Sequence, residues 1–246
     1  MNRLRITPSI VPNLFTSLNM FCGFFSIINA SQGNYVYACW LIFIAAIFDA
    51  LDGAMARLTN SSSELGVELD SLSDIVSFGA APSFLLYSTY YYHLSTIGII
   101  LTSLPLIAGG FRLARFNVQL SGFEKSFFTG LPIPSSAITI VSFILAFYDN
   151  GYSDFHSRII IPMTIILSFL MISRVRYESI PKLSIASIKE KPLTYIFIIA
   201  GLLIIIFYRV EGIFYTFVFM IVIGIFRYIF LLIKHRKKVQ RKTEIV

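Results

Sequence analysis

The chain has 246 residues, of which 56% are hydrophobic and only 13% carry a charge. Soluble domains carry about 25% charged residues, so this composition excludes an ordinary soluble protein and indicates a single domain built in a membrane. The net charge of +7 does not indicate a nucleic-acid partner, because the basic cytoplasmic loops of membrane proteins give the same excess.

Apolar runs along the chain predict an all-α transmembrane bundle of about eight spans. Each run approaches the roughly 20 residues that a bilayer requires. The spans are expected at residues 12–30, 34–57, 66–92, 97–114, 127–148, 158–173, 192–208 and 213–233. We expect a single domain over residues 1–246, divided into a catalytic core at about 10–150, additional C-terminal spans at about 157–233 and a basic tail at 234–246.

Basic residues determine the expected orientation of these spans. An even number of spans places both termini on one side, and that side then holds all of the 20 Lys and Arg residues except Arg158 and Arg209. Basic loops are retained in the cytoplasm. We therefore expect both termini to be cytoplasmic, together with the end of the second span and the beginning of the third.

The most informative stretch begins at Asp49 and ends at Asp74. At about 100° per residue, Asp49 and Asp52 fall on one helical face. Asp70 and Asp74 do the same on the next helix, and the Ser-rich turn between the helices allows the two faces to point at each other. Four carboxylates this close would repel one another. Mg²⁺, Mn²⁺ or Ca²⁺ would remove that cost, because these cations prefer oxygen ligands.

The spacing of these acids resembles a family signature. The pattern D-x2-D-G-x2-A-R-x8-G-x3-D-x3-D is met at every fixed position, as in the CDP-alcohol phosphotransferases, which are membrane enzymes of phospholipid synthesis. The resemblance implies that Asp74 is a general base, which takes a proton from the incoming alcohol. It also implies a site for divalent metal, Mg²⁺ or Mn²⁺ and expected as two ions, formed by Asp49, Asp52, Asp70 and Asp74.

The same resemblance implies a pocket for the CDP-linked lipid. Small residues in this region leave room for a ligand, and the guanidinium of an arginine suits a phosphate. Two residues near the start of the first span have an alternative interpretation as helix caps. The two residues near the start of the first span are Asn13 and Thr16. The other expected lining residues are Gly53, Ala56, Arg57 and Gly66.

Three further stretches resemble the membrane-integral phosphatidylserine synthases within this family. They are PNLFTSLNMFCGF at 12–24, FRLARFN at 111–117 and FTGLPIPSS at 128–136, and the resemblance covers about the first 150 residues. It implies CDP-diacylglycerol and L-serine as substrates, with phosphatidylserine and CMP as products. The serine and phosphate groups would be bound by Arg112, Arg115, Asn117, Thr129, Gly130 and Ser135.

Several alternatives remain open. Arg112 and Arg115 also suit anchors that reach lipid headgroups. Another acceptor, such as glycerol 3-phosphate or inositol phosphate, would use the same metal site. A cation transporter is a different class of protein, because intramembrane acids also mark ion pathways, but it predicts acids spread through the membrane depth. The family further implies a homodimer, surrounded by membrane lipids in a bacterial or archaeal cell membrane.

Overall fold

The computed structural model describes residues 10–59, 63–120, 130–175, 177 and 192–243, with backbone alone at 119–120, 192–198 and 231–243. Within these residues the regular structure is entirely helical, as the composition predicts. The α-helices are α1 (Ile10–Ser31), α2 (Tyr35–Thr59), α3 (Glu64–Asp74), α4 (Ala81–Thr89), α5 (Ser95–Leu120), α6 (Ile133–Phe147), α7 (Asp154–Ile172) and α8 (Pro192–Thr243). A π-helix, Ile75–Ala80, joins α3 to α4, and a 3₁₀ turn, Tyr91–Leu94, precedes α5.

Among the residues just given, five helical stretches are long and apolar enough to cross a membrane: Ile10–Ser31, Tyr35–Thr59, Tyr91–Val118, Asp154–Ile172 and Ile199–Phe230. The apolar helix α6 is shorter. The residues of the span predicted at 66–92 form α3, the π-helix and α4 in direct succession, and these segments are not among those five stretches. The described residues thus support a polytopic membrane protein.

The last helix folds back on itself at Arg209, whose φ of 51° and ψ of −119° are not helical. The hydroxyl of Thr216 lies 3.3 Å from the carbonyl oxygen of Gly201, 15 residues earlier in the chain. In a straight helix these residues would be about 22 Å apart, at 1.5 Å per residue. The two arms therefore form an antiparallel hairpin, and its arms coincide with the two spans predicted at 192–208 and 213–233.

Helix α1 packs against the helices that carry the acidic residues, α2 and α3. It packs along α2, where the buried hydroxyl of Ser26 donates to the carbonyl oxygen of Ala38 at 2.8 Å. It also packs against the π-helix, and a Cβ at Gly23 would overlap the side chain of Ser77. Only glycine permits this close approach. Cys22 and Cys39 are free, buried thiols in this region, as their apolar surroundings in the sequence predict.

Tyrosines close the bundle at the end opposite to the acidic residues. The fully buried Tyr91 donates to Thr164 at 2.9 Å, and Tyr152 donates to Thr89 at 3.2 Å. Tyr35 at the start of α2 donates to the carbonyl oxygen of Ser88 at 3.1 Å. Buried tyrosines combine a large apolar ring with a satisfied hydroxyl, so this end is held together by both packing and hydrogen bonds.

Candidate active site

Three carboxylates from two helices meet at one point. Asp49 of α2 and Asp70 and Asp74 of α3 each place one carboxylate oxygen within 4.8 Å of the others. Asp74 is 7% exposed, and the other two are half-buried. Like charges this close and this buried repel strongly, so the cluster favours binding of a cation.

Asp52 lies at the edge of this cluster. It is 6% exposed and accepts a hydrogen bond of 2.8 Å from the hydroxyl of Thr16 on α1. Its charge acts on Asp49 and Asp70. The structure therefore brings all four acids into one region, with three in close contact and the fourth held by α1.

The donor set fits a hard divalent cation. Oδ1 of Asp70 is buried and has no hydrogen-bond partner among the described residues. A buried carboxylate oxygen without a partner is costly, and oxygen ligands from several carboxylates are the kind that Mg²⁺ and Mn²⁺ prefer. Asp49, Asp70 and Asp74 are thus placed to hold a metal ion, with Asp52 beside them.

The residues predicted to line the nucleotide pocket lie around the same end of α1, α2 and α3. Arg57 is exposed and its guanidinium lies back over Gly53, where an added Cβ would be 3.6 Å from Nη1. Ser63 caps α3 by accepting from the amide of Gly66 at 3.1 Å. A Cβ added to Gly66 would be 3.4 Å from Oδ1 of Asn13. Ala56 is half-buried, one turn beyond Asp52.

Arg112 of α5 lies close enough to the acidic cluster for its charge to be felt there. It is only 7% exposed, and its positive charge acts on Asp74. Its Nε has no hydrogen-bond partner among the described residues. A buried guanidinium with an unused N–H next to a carboxylate cluster is suited to an anionic ligand group, because it donates in a fixed planar geometry.

Arg115 has different neighbours from Arg112, although the two residues are one turn apart. Its guanidinium donates to the carbonyl oxygen of Ile172 at 2.8 Å and lies 3.3 Å from that of Met171 and 3.4 Å from that of Ser173. These carbonyls end α7, where helical carbonyls lack partners within the helix. Arg115 therefore connects α5 to the end of α7.

Gly130 belongs to the same junction. Its φ is +89°, and an added Cβ would overlap the carbonyl oxygen of Met171 and lie 2.9 Å from Nη2 of Arg115. Its amide donates to the carbonyl oxygen of Val175 at 2.8 Å, and the amide of Leu131 donates to that of Leu170 at 3.0 Å. The start of α6 is thereby fixed to the end of α7.

The remaining residues predicted for the acceptor are less closely grouped. The side-chain amide of Asn117 donates to the hydroxyl of Ser71 on α3 at 3.0 Å and lies 3.4 Å from a carboxylate oxygen of Glu68. Ser135 is half-buried in the first turn of α6, where its carbonyl oxygen accepts from Thr139 at 2.7 Å. Thr129 lies outside the described residues.

Asn19 is part of the site, although it was not among the predicted residues. It is completely buried, and its side-chain Nδ2 lies 3.5 Å from Oδ1 of Asp74. Its signal in the sequence is an amide in an apolar helix, three residues after Thr16 and therefore on the same face. That signal becomes specific only once the partner on α3 is known.

Comparison with known proteins agrees with this geometry. The sequence profile of the CDP-alcohol phosphatidyltransferase family matches residues 9–170. A Helicobacter pylori protein named CDP-diacylglycerol–serine O-phosphatidyltransferase is 36% identical over 92% of this chain and 93% of its own. A Bacillus subtilis protein of the same name is 36% identical over 70% of this chain and 92% of its own.

An archaetidylserine synthase of Methanothermobacter thermautotrophicus is 40% identical over 73% of this chain and 75% of its own. The profile covers the helices that carry the acidic cluster, as well as α5, where Arg112 approaches it. This chain belongs to the CDP-alcohol phosphatidyltransferase family.

Proposed function

We propose that this protein transfers the phosphatidyl group of CDP-diacylglycerol to L-serine, which gives phosphatidylserine and CMP. The observation that carries this proposal is the similarity, over nine tenths of both chains, to a protein named for this reaction. The archaeal relative is named for a serine-containing product as well. Serine is thus the acceptor in each of these names, while the lipid differs between them.

The acidic cluster supports a metal-assisted reaction. Asp49, Asp70 and Asp74 would hold Mg²⁺ or Mn²⁺, with Asp52 contributing to a second ion. Bound there, the metal would neutralise the pyrophosphate of the lipid donor and stabilise the charge that develops on the departing CMP. Oδ1 of Asp70, which is buried and has no hydrogen-bond partner in the described part of the chain, supports this assignment.

Asp74 is the proposed general base. It accepts the proton of the serine hydroxyl, whose oxygen bonds to the phosphorus that carries the diacylglycerol, while the bond from that phosphorus to CMP breaks. Asp74 is buried and lies beside Asp49 and Asp70 of the proposed metal site, which would place it next to the phosphorus under attack. In the same arrangement the buried Arg112 would pair with the carboxylate of serine, since its charge acts on Asp74 and its Nε has no hydrogen-bond partner among the described residues.

The nucleotide would lie at the ends of α1, α2 and α3. Gly66 lies against Asn13, and Gly53 lies against Arg57; the exposed Arg57 is placed to pair with a phosphate. Ala56 and Thr16 would line the same nucleotide pocket. Thr16 acts there through its hydrogen bond to Asp52.

The proposed topology has eight spans with both termini in the cytoplasm. Helices α1, α2, α5, α6 and α7 supply five spans, α3 to α4 supply one, and the two arms of α8 supply two. The site then faces soluble nucleotides. An impermeant maleimide added to intact cells should label Asn150→Cys between α6 and α7 but not Leu58→Cys at the end of α2, both positions being exposed. The reverse labelling would invert the topology.

The first experiment measures CMP release by the purified protein with CDP-diacylglycerol and Mn²⁺ or Mg²⁺. Serine, glycerol 3-phosphate, inositol and inositol phosphate are supplied one at a time. Release with serine alone is the expected result. Release with another acceptor would be consistent with the proposed metal site but would contradict serine as the acceptor. Absence of release with every acceptor would contradict the enzymatic function.

A further inference from the structure

The buried amide of Asn19 lies beside the proposed base, and packing alone does not account for a polar side chain at this position. It is 0% exposed, and its Oδ1 has no hydrogen-bond partner among the described residues. A buried polar atom without a partner destabilises the folded state. A leucine of similar size would therefore be expected at this position in an apolar helix, if the residue served packing alone.

The only side-chain contact described for this amide is with Asp74. Nδ2 of Asn19 lies 3.5 Å from Oδ1 of Asp74. This distance is at the long end for a hydrogen bond, but hydrogen bonds to catalytic groups are often long without substrate and shorten in the substrate complex. An amide N–H is a neutral donor, so it can orient a carboxylate without neutralising it.

The backbone on both sides of this contact is fixed. The hydroxyl of Ser73 donates to the carbonyl oxygen of Thr16 at 2.9 Å, and that of Ser77 donates to the carbonyl oxygen of Asn19 at 2.8 Å. Ser73 and Ser77 flank Asp74 along the chain. One turn further along α1, Gly23 lies directly against Ser77. The amide of Asn19 is therefore presented to Asp74 from a rigid support, which is what orientation of a base requires.

We propose that Asn19 is a positioning residue, which holds one oxygen of Asp74 so that the other is directed at the acceptor hydroxyl. This inference rests on the proposed role of Asp74 as the base. It assigns to α1 a function in the proton-transfer step, beyond its proposed contacts with the nucleotide.

The test is the variant Asn19→Leu, compared with the wild-type protein in detergent. We expect kcat to fall at least about tenfold, as a fraction of the 10²- to 10⁴-fold that a general base contributes. The KM values for serine and CDP-diacylglycerol should stay within about twofold, because neither substrate loses a contact. The melting temperature should be unchanged or higher, since an unpartnered buried oxygen is removed.

Ser26→Ala provides the matched control on the same helix. Ser26 is also completely buried and hydrogen-bonded, but to Ala38, two turns from Asn19. It should lower the melting temperature and leave kcat unchanged. A second variant, Asn19→Asp, keeps the shape of the side chain but places a carboxylate against Asp74, and it should lower kcat further.

An unchanged kcat in Asn19→Leu would overturn the inference. A lowered melting temperature, together with a lower kcat and a proportionate rise in both KM values, would also overturn it. That pattern would indicate a structural role. Turnover retained in Asp74→Asn would instead contradict the proposed base. Absence of CMP release in the wild-type protein would contradict the proposed function itself.

Discussion

Asp74 is the residue whose replacement separates binding from chemistry most cleanly. In Asp74→Asn the side chain keeps its shape and loses its ability to take a proton, so turnover should fall by about 10²- to 10⁴-fold. Binding of CDP-diacylglycerol with Mn²⁺, measured by its effect on the melting temperature, should persist because Asp49, Asp52 and Asp70 remain. Activity close to that of the wild-type protein would remove Asp74 from the role of base.

Arg112 should affect the acceptor more than the donor. Its Nε is buried without a hydrogen-bond partner among the described residues, and its charge acts on Asp74, so Arg112→Ala should raise the KM for serine by tenfold or more, at roughly 1.4 kcal/mol per factor of ten. The KM for CDP-diacylglycerol should change less. Steady-state kinetics with each substrate varied in turn would measure both values, and equal changes would indicate a general anchoring role.

The sequence allowed the acidic residues to be predicted as a group, because their spacing is itself a helical geometry. It did not allow the neighbours of Arg112 and Arg115 to be told apart. A spacing of three residues places both on one helical face, but Arg115 meets the end of α7, and that position follows from tertiary packing. Asn19 was missed for the same reason, since Asp74 lies 55 residues further along the chain.

At the scale of elements, the junction of α5, α6 and α7 depends on one cation and one glycine. Arg115 donates to the carbonyls that end α7. Gly130, at a φ of +89°, lies against the guanidinium of Arg115 and the carbonyl oxygen of Met171. Arg115→Ala should lower the stability by roughly 1–3 kcal/mol, because the carbonyls that end α7 lose their charged donor. Thermal unfolding in detergent would measure this loss.

Gly130→Ala is the matched variant for this junction. It removes no polar group, but its Cβ would overlap Met171 and its backbone conformation disfavours alanine. A loss of stability similar to that of Arg115→Ala is therefore expected. Should Arg115→Ala instead raise the KM for serine without any change in melting temperature, the guanidinium would belong to the acceptor site.

The π-helix Ile75–Ala80 is a feature that the hydrophobic pattern does not reveal. Apolar runs predict a span at residues 66–92, and these residues form a succession of three helical segments. A π-turn has wider spacing than an α-turn and often lies next to a functional site. Here it begins directly after Asp74, so it changes the rotation of α4 about the helix axis relative to α3, which carries Asp70 and Asp74.

At the scale of the whole molecule, the hairpin of α8 is expected to be dispensable for chemistry. The family profile ends at residue 170, and the Bacillus subtilis relative is matched over 92% of its length by only 70% of this chain. The hairpin meets the rest of the bundle mainly along α6. A chain ending at residue 190 should therefore retain CMP release of the same order of magnitude in membranes.

The control for this truncation is the same shortened chain with Asp74→Asn, which should release no CMP. Immunoblotting of the membrane fraction would establish that both shortened chains are inserted. A shortened chain that is inserted but inactive would show that the hairpin supports the site through its contacts with α6 and with Tyr177, whose ring packs against Gly224.

The tip of this hairpin has a consequence for how the protein enters the membrane. Arg209 and Glu211 are both exposed there, one positive and one negative, within the turn that joins the two arms. In the proposed topology the tip must cross the bilayer during biogenesis. Because the charges of Arg209 and Glu211 cancel, the tip carries no net charge across the bilayer. The membrane potential therefore neither assists nor opposes its insertion.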